Sequence, residues 1–254
     1  MTGSRAMDPP LPVLSVAALN RATLARQHLI ERASLDPVTA IEAVGGLQAQ
    51  EPASPFIALW ARLVDVRVPD VDAAIARRDV VKTTFMRSTL HLMSAADYRR
   101  LRPILPPRTG SIRRQDRDSP PDDATLAALL AATALHAREP RTLAELSVYL
   151  DATGIEADRD PAETVWWVRR HAPLVHAPAD LPWSFGRRPR LVDADAWLGQ
   201  DASGTTERAT AAIDEALEHL IRRYLGAFGP ATAADIGAWS GLPIGTLRPA
   251  IAAL

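Results

Sequence analysis

The sequence predicts a mainly α-helical protein with small β-hairpins, and three observations lead to this prediction. Most stretches place apolar residues three or four positions apart, the spacing of one helix face. Two pairs of short segments are instead rich in β-branched and apolar residues over lengths typical of strands joined as hairpins. A corner of glycine followed by an apolar residue recurs before two helices, at Gly154-Ile155 and Gly241-Leu242.

Capping and stop signals set the limits of the helices. Asp36-Pro37 begins a helix that ends at Gly45-Gly46, because aspartate caps helices, proline is tolerated in the first turn and glycine ends them. Asp70, Ser94, Thr142 and Thr232 are the caps that we predict for later helices. The predicted helices are 17–31, 37–44, 54–63, 71–78, 94–101, 122–136, 143–150, 161–170, 211–228, 233–239 and 243–254.

The strands form two hairpins, each placed after a group of helices. Residues 80–86 and 88–93 make the first hairpin, and residues 174–176 and 190–192 make the second. Three helices with a tight corner, followed by two strands, are the outline of a winged helix. We therefore predict tandem winged-helix modules. They comprise a disordered lead-in (1–13), a first module with a basic loop (14–118), a second module (119–203) and the incomplete start of a third (204–254).

Composition excludes several kinds of chemistry. The 254-residue chain has no cysteine, which rules out disulfides, thiolate nucleophiles and cysteine-ligated metals. The six histidines are scattered without metal-ligand spacing, and Lys82 is the only lysine, which argues against an imine mechanism. No apolar run reaches the roughly 18 residues of a membrane helix, and there is no signal peptide. We expect a cytoplasmic protein without cofactor, metal or membrane partner.

Arginines are clustered although the net charge is only −1. One group surrounds the proline-rich loop after residue 101, a second lies at residues 187–190 and a third is Arg222-Arg223. Such patches can follow a phosphate backbone, but a solvated arginine-rich surface is an equally simple interpretation. The first group contains Arg99, Arg100, Arg102, Arg108, Arg113, Arg114 and Arg117.

The stretch from Gly45 to Pro55 contains the residues with the most suggestive spacing. Gln48 and Gln50 flank one apolar residue, so in an extended segment both amides project to the same side. A primary amide donates and accepts hydrogen bonds but takes up no proton near pH 7. The pair can therefore hold a water molecule without deprotonating it, and its substrate must already be reactive. The alternative is that both glutamines only cap neighbouring helix ends.

Several further motifs occur together with the glutamine stretch. With it they resemble the bacterial winged-helix proteins that include the AlkZ-like DNA glycosylases, over roughly residues 14–254. One branch of that family carries aspartate at the position of Gln50, so this chain resembles the Gln-apolar-Gln branch. Members normally continue beyond the position of Leu254. The motifs are Leu47-Gln48-Ala49-Gln50-Glu51-Pro52, Leu59-Trp60-Ala61-Arg62-Leu63, Met86-Arg87-Ser88-Thr89-Leu90-His91-Leu92, Arg222-Arg223-Tyr224-Leu225, Phe228-Gly229-Pro230-Ala231-Thr232 and Trp239-Ser240-Gly241-Leu242.

The resemblance implies a catalytic role for Gln48 and Gln50 and excision of bulky or cross-linked N-alkylated purines, including adducts of DNA-damaging natural products. An N7- or N3-alkylated purine is a cation with a weakened glycosidic bond, which fits a site that only positions water. We therefore predict a monofunctional, monomeric DNA glycosylase acting on damaged duplex DNA, in repair or self-resistance. The DNA contacts that we predict are Arg87, Thr89, His91, Arg108, Arg113, Arg114, Arg187, Arg188 and Arg190.

Other interpretations remain open at this stage. His91 has an alternative as a half-buried structural histidine, whereas its alternation with Arg87 and Thr89 on the predicted strand favours a shared polar surface. Trp166 and Trp167 are better explained as core residues than as base-stacking groups. The rival functions are a non-catalytic DNA-binding regulator, with residues 243–254 or 56–63 as recognition helix, and an inactive family member that sequesters a toxin or adduct.

Overall fold

A computed structural model describes residues 13–104, 121–186, 188–199 and 206–254. Within these ranges the protein is mainly helical with a small antiparallel sheet, as the sequence predicts. The helices are α1 (Val16–Arg26), α2 (Pro37–Ala43), α3 (Ser54–Arg62), α4 (Val68–Ala76), α5 (Ala95–Leu101), α6 (Asp123–His136), α7 (Leu143–Thr153), α8 (Pro161–His171), α9 (Ala194–Leu198), α10 (Thr206–Phe228), α11 (Ala233–Ser240) and α12 (Ile244–Ala252). The strands are β1 (Leu47–Gln48), β2 (Val80–Thr84), β3 (Leu90–Ser94), β4 (Arg141–Thr142), β5 (Leu174–His176) and β6 (Arg190–Asp193).

The described strands form one sheet in the order β1-β3-β2-β5-β6-β4. The two predicted hairpins, β2–β3 and β5–β6, are therefore present, but the pairing of Lys82 with His176 and of Thr83 with Val175 joins them edge to edge. The first hairpin has shorter strands than the sequence suggests. Its turn takes up residues 85–89, where Arg87 and Ser88 have positive φ angles of 53° and 59°. Strands β1 and β4, of two residues each, escaped prediction.

Side-chain capping fixes the helix starts. Asp36, Ser94, Thr142 and Thr232 each accept a hydrogen bond from the backbone N–H three residues on, at 3.1, 3.0, 3.2 and 3.3 Å. Each bond satisfies one of the amide groups that have no partner within the helix. The predicted starts at these four residues are confirmed.

Several helix limits differ from the prediction. Helix α10 begins at Thr206, five residues before the predicted start, α7 continues three residues further, to Thr153, and α9 was not predicted. Helix α4 begins at Val68, so Asp70 is not its cap but lies in its first turn, where its carboxylate accepts from the N–H of Arg67 at 2.9 Å. The earlier start is possible because Pro69 sits in the first turn, where a missing N–H costs nothing. Helix α1 ends at Arg26, before His28 turns the chain with a φ of 53°.

Each face of the sheet is covered by its own helices. On one face, Val81, Met93, Val175 and Val192 pack in a cluster that includes residues of α5, α10 and α12. On the other face, a second cluster combines β1, β2 and β3 with residues of α2, α3 and α4. Helix α10 also contacts α1 and α2, so this late helix packs against the first two helices of the chain. None of the helices in the described ranges has both the length and the apolar composition needed to cross a bilayer.

Candidate catalytic site

A glycine turn delivers the chain from α2 to the glutamine segment. Gly45 and Gly46 have φ angles of 76° and 89°, in the left-handed region that glycine adopts without the strain of a side chain. The N–H of Gly46 donates to the carbonyl of Ile41 at 2.9 Å, which closes the end of α2. The turn therefore places β1 directly against β3.

The glutamines alternate with buried residues along this segment. Leu47 and Ala49 are buried in the core beneath the sheet, whereas Gln48 and Gln50 are exposed. This is the alternation of an extended chain, and it directs both amides to the same, accessible side. Neither glutamine is sealed in the interior.

The two amides are held differently. The side-chain carbonyl of Gln50 accepts a hydrogen bond from the N–H of Leu90 at 3.0 Å. The last backbone hydrogen bond of the strand pair is next to it, and it runs from the N–H of Ala49 to the carbonyl of Leu90 at 2.7 Å. Gln50 thus ends the β1–β3 ladder. Within the described ranges, the amide of Gln48 makes no hydrogen bond. Gln50 therefore binds strand backbone and caps no helix end.

His91 lies directly opposite Gln48 in the β1–β3 pair, and only 3% of it is exposed. Its Nδ1 lies 3.0 Å from the carbonyl of Thr89, and its ring meets the Phe85 ring edge to face at 5.8 Å. Burial lowers the pKa of His91 below the ordinary 6.5 and the charge of Arg87 lowers it further, whereas the bond to Thr89 raises it. His91 is therefore a buried, neutral imidazole at pH 7.

Arg87 does not share a strand face with His91, contrary to expectation, whereas Thr89 is extended and its hydroxyl lies 3.5 Å from Nδ1 of His91. Both precede β3 and belong to the hairpin turn, because the left-handed residues at the tip displace the start of the strand. The exposed Arg87 donates from Nη1 to the carbonyl of Trp239, at the end of α11. The hydroxyl of Thr89 donates to the carbonyl of Met86 at 3.0 Å. These bonds anchor the hairpin turn beside the site.

The remaining predicted DNA contacts are spread more widely. Arg108, Arg113, Arg114 and Arg187 lie outside the described residues. Arg188 is exposed in the loop before β6. Arg190 begins β6, where its Nη2 donates to the carbonyl of Pro140 at 2.8 Å. Strand β6 is three strands from β3, roughly 14 Å at the usual spacing.

Gln27 supports the site, although nothing in the sequence sets it apart from its helical neighbours. It is 7% exposed, and its amide nitrogen donates to the carbonyl of Val44 at 3.4 Å and to that of Ala227 at 3.1 Å. Its carbonyl accepts from Nη2 of Arg62 at 3.2 Å. Gln27 thereby ties the glycine turn to α10 and to α3.

Lys82 faces away from the glutamines. It pairs with Leu92 in the register row next to the Gln48–His91–Thr83 row, so its side chain lies on the opposite face of the sheet. Lys82 is 3% exposed, and its amine lies 4.9 Å from the centre of the Phe185 ring. Burial lowers its pKa, against the opposing effect of Glu51. The described residues contain no group of three His, Cys, Asp or Glu side chains that could hold a metal ion.

A cavity of about 510 Å³ adjoins the neighbours of His91, a size ordinary for a ligand pocket. Thr83, which pairs with His91, and Phe85, which contacts its ring, line one side of it. The other side includes the last turn of α8, with Trp166, Arg169 and His171. Trp167 is buried in the core, as expected, and Trp166 is half-buried.

The chain belongs to the AlkZ-like DNA glycosylase family, since the family model described as "DNA glycosylase AlkZ-like" matches residues 41–254. This confirms the family inferred from the motifs. The solved structure of Streptomyces sahachiroi DNA glycosylase AlkZ has the same fold, with a TM-score of 0.72 and 21% sequence identity. The match covers 92% of this chain and 63% of that one, so this chain spans less than two thirds of its length. No curated protein sequence matches the chain.

Proposed function

We propose that this protein is a monofunctional DNA glycosylase that hydrolyses the N-glycosidic bond of an N7- or N3-alkylated purine in duplex DNA. The observation that carries the proposal is the pair of exposed amides, Gln48 and Gln50, side by side at the edge of the sheet. Membership of the AlkZ-like DNA glycosylase family supports it.

The proposed chemistry follows from what amides can do. An alkylated purine leaves as a neutral base, so the leaving group needs no general acid. The remaining task is to hold a water molecule against C1′ of the sugar as oxocarbenium character develops. The carbonyl of Gln50 has a second lone pair beyond the one used by Leu90, and the Gln48 amide is free to turn towards the same water.

The way in which DNA reaches the site is also part of the proposal. We interpret residues 14–118, 119–203 and 204–254 as winged-helix modules, because helices α2–α4 precede the β2–β3 hairpin and helices α6–α8 precede the β5–β6 hairpin. Arg87, Arg188 and Arg190 would contact phosphates on either side of the lesion. The cavity is lined by Thr83 and Phe85, which neighbour His91, and not by either glutamine, and it offers room for a bulky purine adduct, as repair or self-resistance would require.

Release of base from a defined lesion tests the function. A duplex carrying one N7-methylguanine is incubated with excess protein and heated in alkali, which breaks the strand at abasic sites. We expect strand breaks with the wild type and a rate at least about 10²-fold lower for Gln48→Ala and Gln50→Ala. DNA affinity should persist in both variants, because they remove no charge.

Glu218→Gln serves as the control, since this exposed residue lies on α10, on the surface of the helix. It should leave the rate within about twofold, as surface substitutions usually do. Binding of the lesion duplex by the wild type without any strand breaks would contradict the proposal and favour the non-catalytic or sequestering alternatives.

A further inference from the structure

The register of the sheet brings a basic nitrogen to the glutamine pair. Gln48 and His91 are direct cross-strand neighbours, and their side chains project from the same face. The adjacent pair, Ala49 and Leu90, shares a backbone hydrogen bond, so Gln48 and His91 form the closer, non-hydrogen-bonded kind of pair. Their Cβ atoms are then roughly 4.5–5.5 Å apart. One water molecule can bridge two side chains at this separation.

The hydrogen bonds of His91 determine which ring nitrogen is available. Nδ1 faces the carbonyl of Thr89, which can only accept, so Nδ1 carries the proton of the neutral ring. Nε2 is then an acceptor with a free lone pair. It has no hydrogen-bond partner in the described part of the chain, and it is not among the polar atoms sealed from solvent.

We infer that His91 is a catalytic base, whose Nε2 accepts a proton from the water that Gln48 and Gln50 hold. This inference rests on the proposed function and goes beyond it, because the amides alone leave the proton without an acceptor on the protein. A base for this water must have a free ring nitrogen and must lie near the glutamines. The tautomer of His91 meets the first requirement, and its position opposite Gln48 meets the second.

The proposed step balances as follows. The water oxygen forms a bond to C1′, and the bond between C1′ and the purine nitrogen breaks. Its electron pair stays with the purine, which cancels the positive charge of the alkylated base. The proton released by the water moves to Nε2 of His91, and the resulting imidazolium later returns it to solvent.

The surroundings of His91 favour its neutral form, which is the form that can accept a proton. Arg87 in the hairpin turn lowers its pKa, after burial. Lys82 lies on the opposite face of the sheet. On the helices packed against β3, Glu42 and Asp97 are both paired with Arg223. Since the pKa lies below 6.5, the imidazole is neutral and active at pH 7, and activity should fall only as the pH drops through this lowered value.

Single-turnover excision of N7-methylguanine between pH 4.5 and 7.5 tests the inference. For the wild type we expect a rate that rises with pH through the lowered pKa of His91 and is already level at pH 6.5. His91→Gln keeps an acceptor but cannot titrate in this range. We expect this variant to be about 10²-fold slower or more and to lack the acid limb, with its DNA affinity and melting temperature close to the wild type.

His136→Gln is the matched control, because burial lowers the pKa of His136 as well. His136 lies on α6 and stacks on Tyr149 of α7, and both residues are far from the glutamines in sequence. It should keep both the rate and the acid limb. A His91→Gln variant within threefold of the wild type, or one that keeps the acid limb, would overturn the inference while leaving the glycosylase proposal intact. If His91→Gln does not fold, a wild-type excision rate that does not fall at low pH is sufficient by itself to overturn the inference. A wild type that releases no base at any pH contradicts the proposed function instead.

Discussion

Gln48 and Gln50 have the same side-chain chemistry but make different contacts in the fold. Gln48 is exposed and makes no hydrogen bond within the described ranges, whereas Gln50 accepts the N–H of Leu90 at 3.0 Å. Gln50 therefore has a structural role in addition to its proposed catalytic one. Gln48 has only the latter, so the two glutamines separate activity from stability.

This difference predicts unequal effects on stability. Gln50→Ala should lower the free energy of unfolding by about 1 kcal/mol, because it removes a net hydrogen bond at the end of the ladder. Gln48→Ala should change it by less than about 0.5 kcal/mol. Urea titration followed by circular dichroism measures both values. Equal losses in the two variants would show that the bond between Gln50 and Leu90 does not contribute.

At the scale of elements, the turn between α2 and β1 determines where the glutamines lie. Gly45 and Gly46 hold left-handed backbone angles, and Gln27 fixes the preceding carbonyl of Val44 to α10. The site is thus positioned by a turn, not by a long strand. Changes in that turn should act on the glutamines from outside the site.

Gly45→Ala tests this role. A Cβ at Gly45 would meet Trp239 at 3.4 Å, an ordinary contact, so the cost comes mainly from the φ of 76°, about 1–2 kcal/mol of stability. Excision should slow as well if the turn positions the pair. Gly226→Ala is the control, since its Cβ would meet nothing within 4 Å inside α10. Gly226→Ala should raise the free energy of unfolding by about 0.5–1 kcal/mol, as thermal or urea unfolding would measure. A destabilised Gly226→Ala with an unaffected Gly45→Ala would refute the account.

At the scale of the whole molecule, α10 holds the first part of the chain together through a polar network. Nη2 of Arg223 lies 2.8 Å from Glu42 on α2 and 3.0 Å from Asp97 on α5. Asp97 also faces His219 at 2.6 Å, and it is only 6% exposed. One guanidinium therefore joins three helices around a carboxylate that has little solvent of its own.

Replacing that guanidinium should cost far more than replacing its neighbour. Arg223→Met leaves Asp97 without its main cation, and we expect a loss of about 2 kcal/mol in urea unfolding at pH 7. Arg222→Met removes only the exposed pair with Glu218 and should cost less than about 0.5 kcal/mol. Similar costs for both substitutions would mean that the network does not bind α10 to the rest of the fold.

The sequence predicted the parts of this molecule that depend on local chemistry. Capping residues such as Thr142 and Thr232 fixed helix starts, because a side-chain oxygen three residues from an amide is sufficient to do so. The α4 start was wrong for the same local reason, since Pro69 allows an earlier turn than Asp70 indicates. Alternation placed Gln48 and Gln50 on one side, and the motifs identified the family.

What the sequence by itself determined is therefore the helices other than α9, the two hairpins, the glutamine pair and the family. The tertiary structure alone decided that the hairpins join in one sheet, that Leu90, forty positions along the chain, orients Gln50, and that His91 lies buried opposite Gln48. These features depend on strand register and burial, which arise from contacts between distant segments. No pattern within a single segment encodes them.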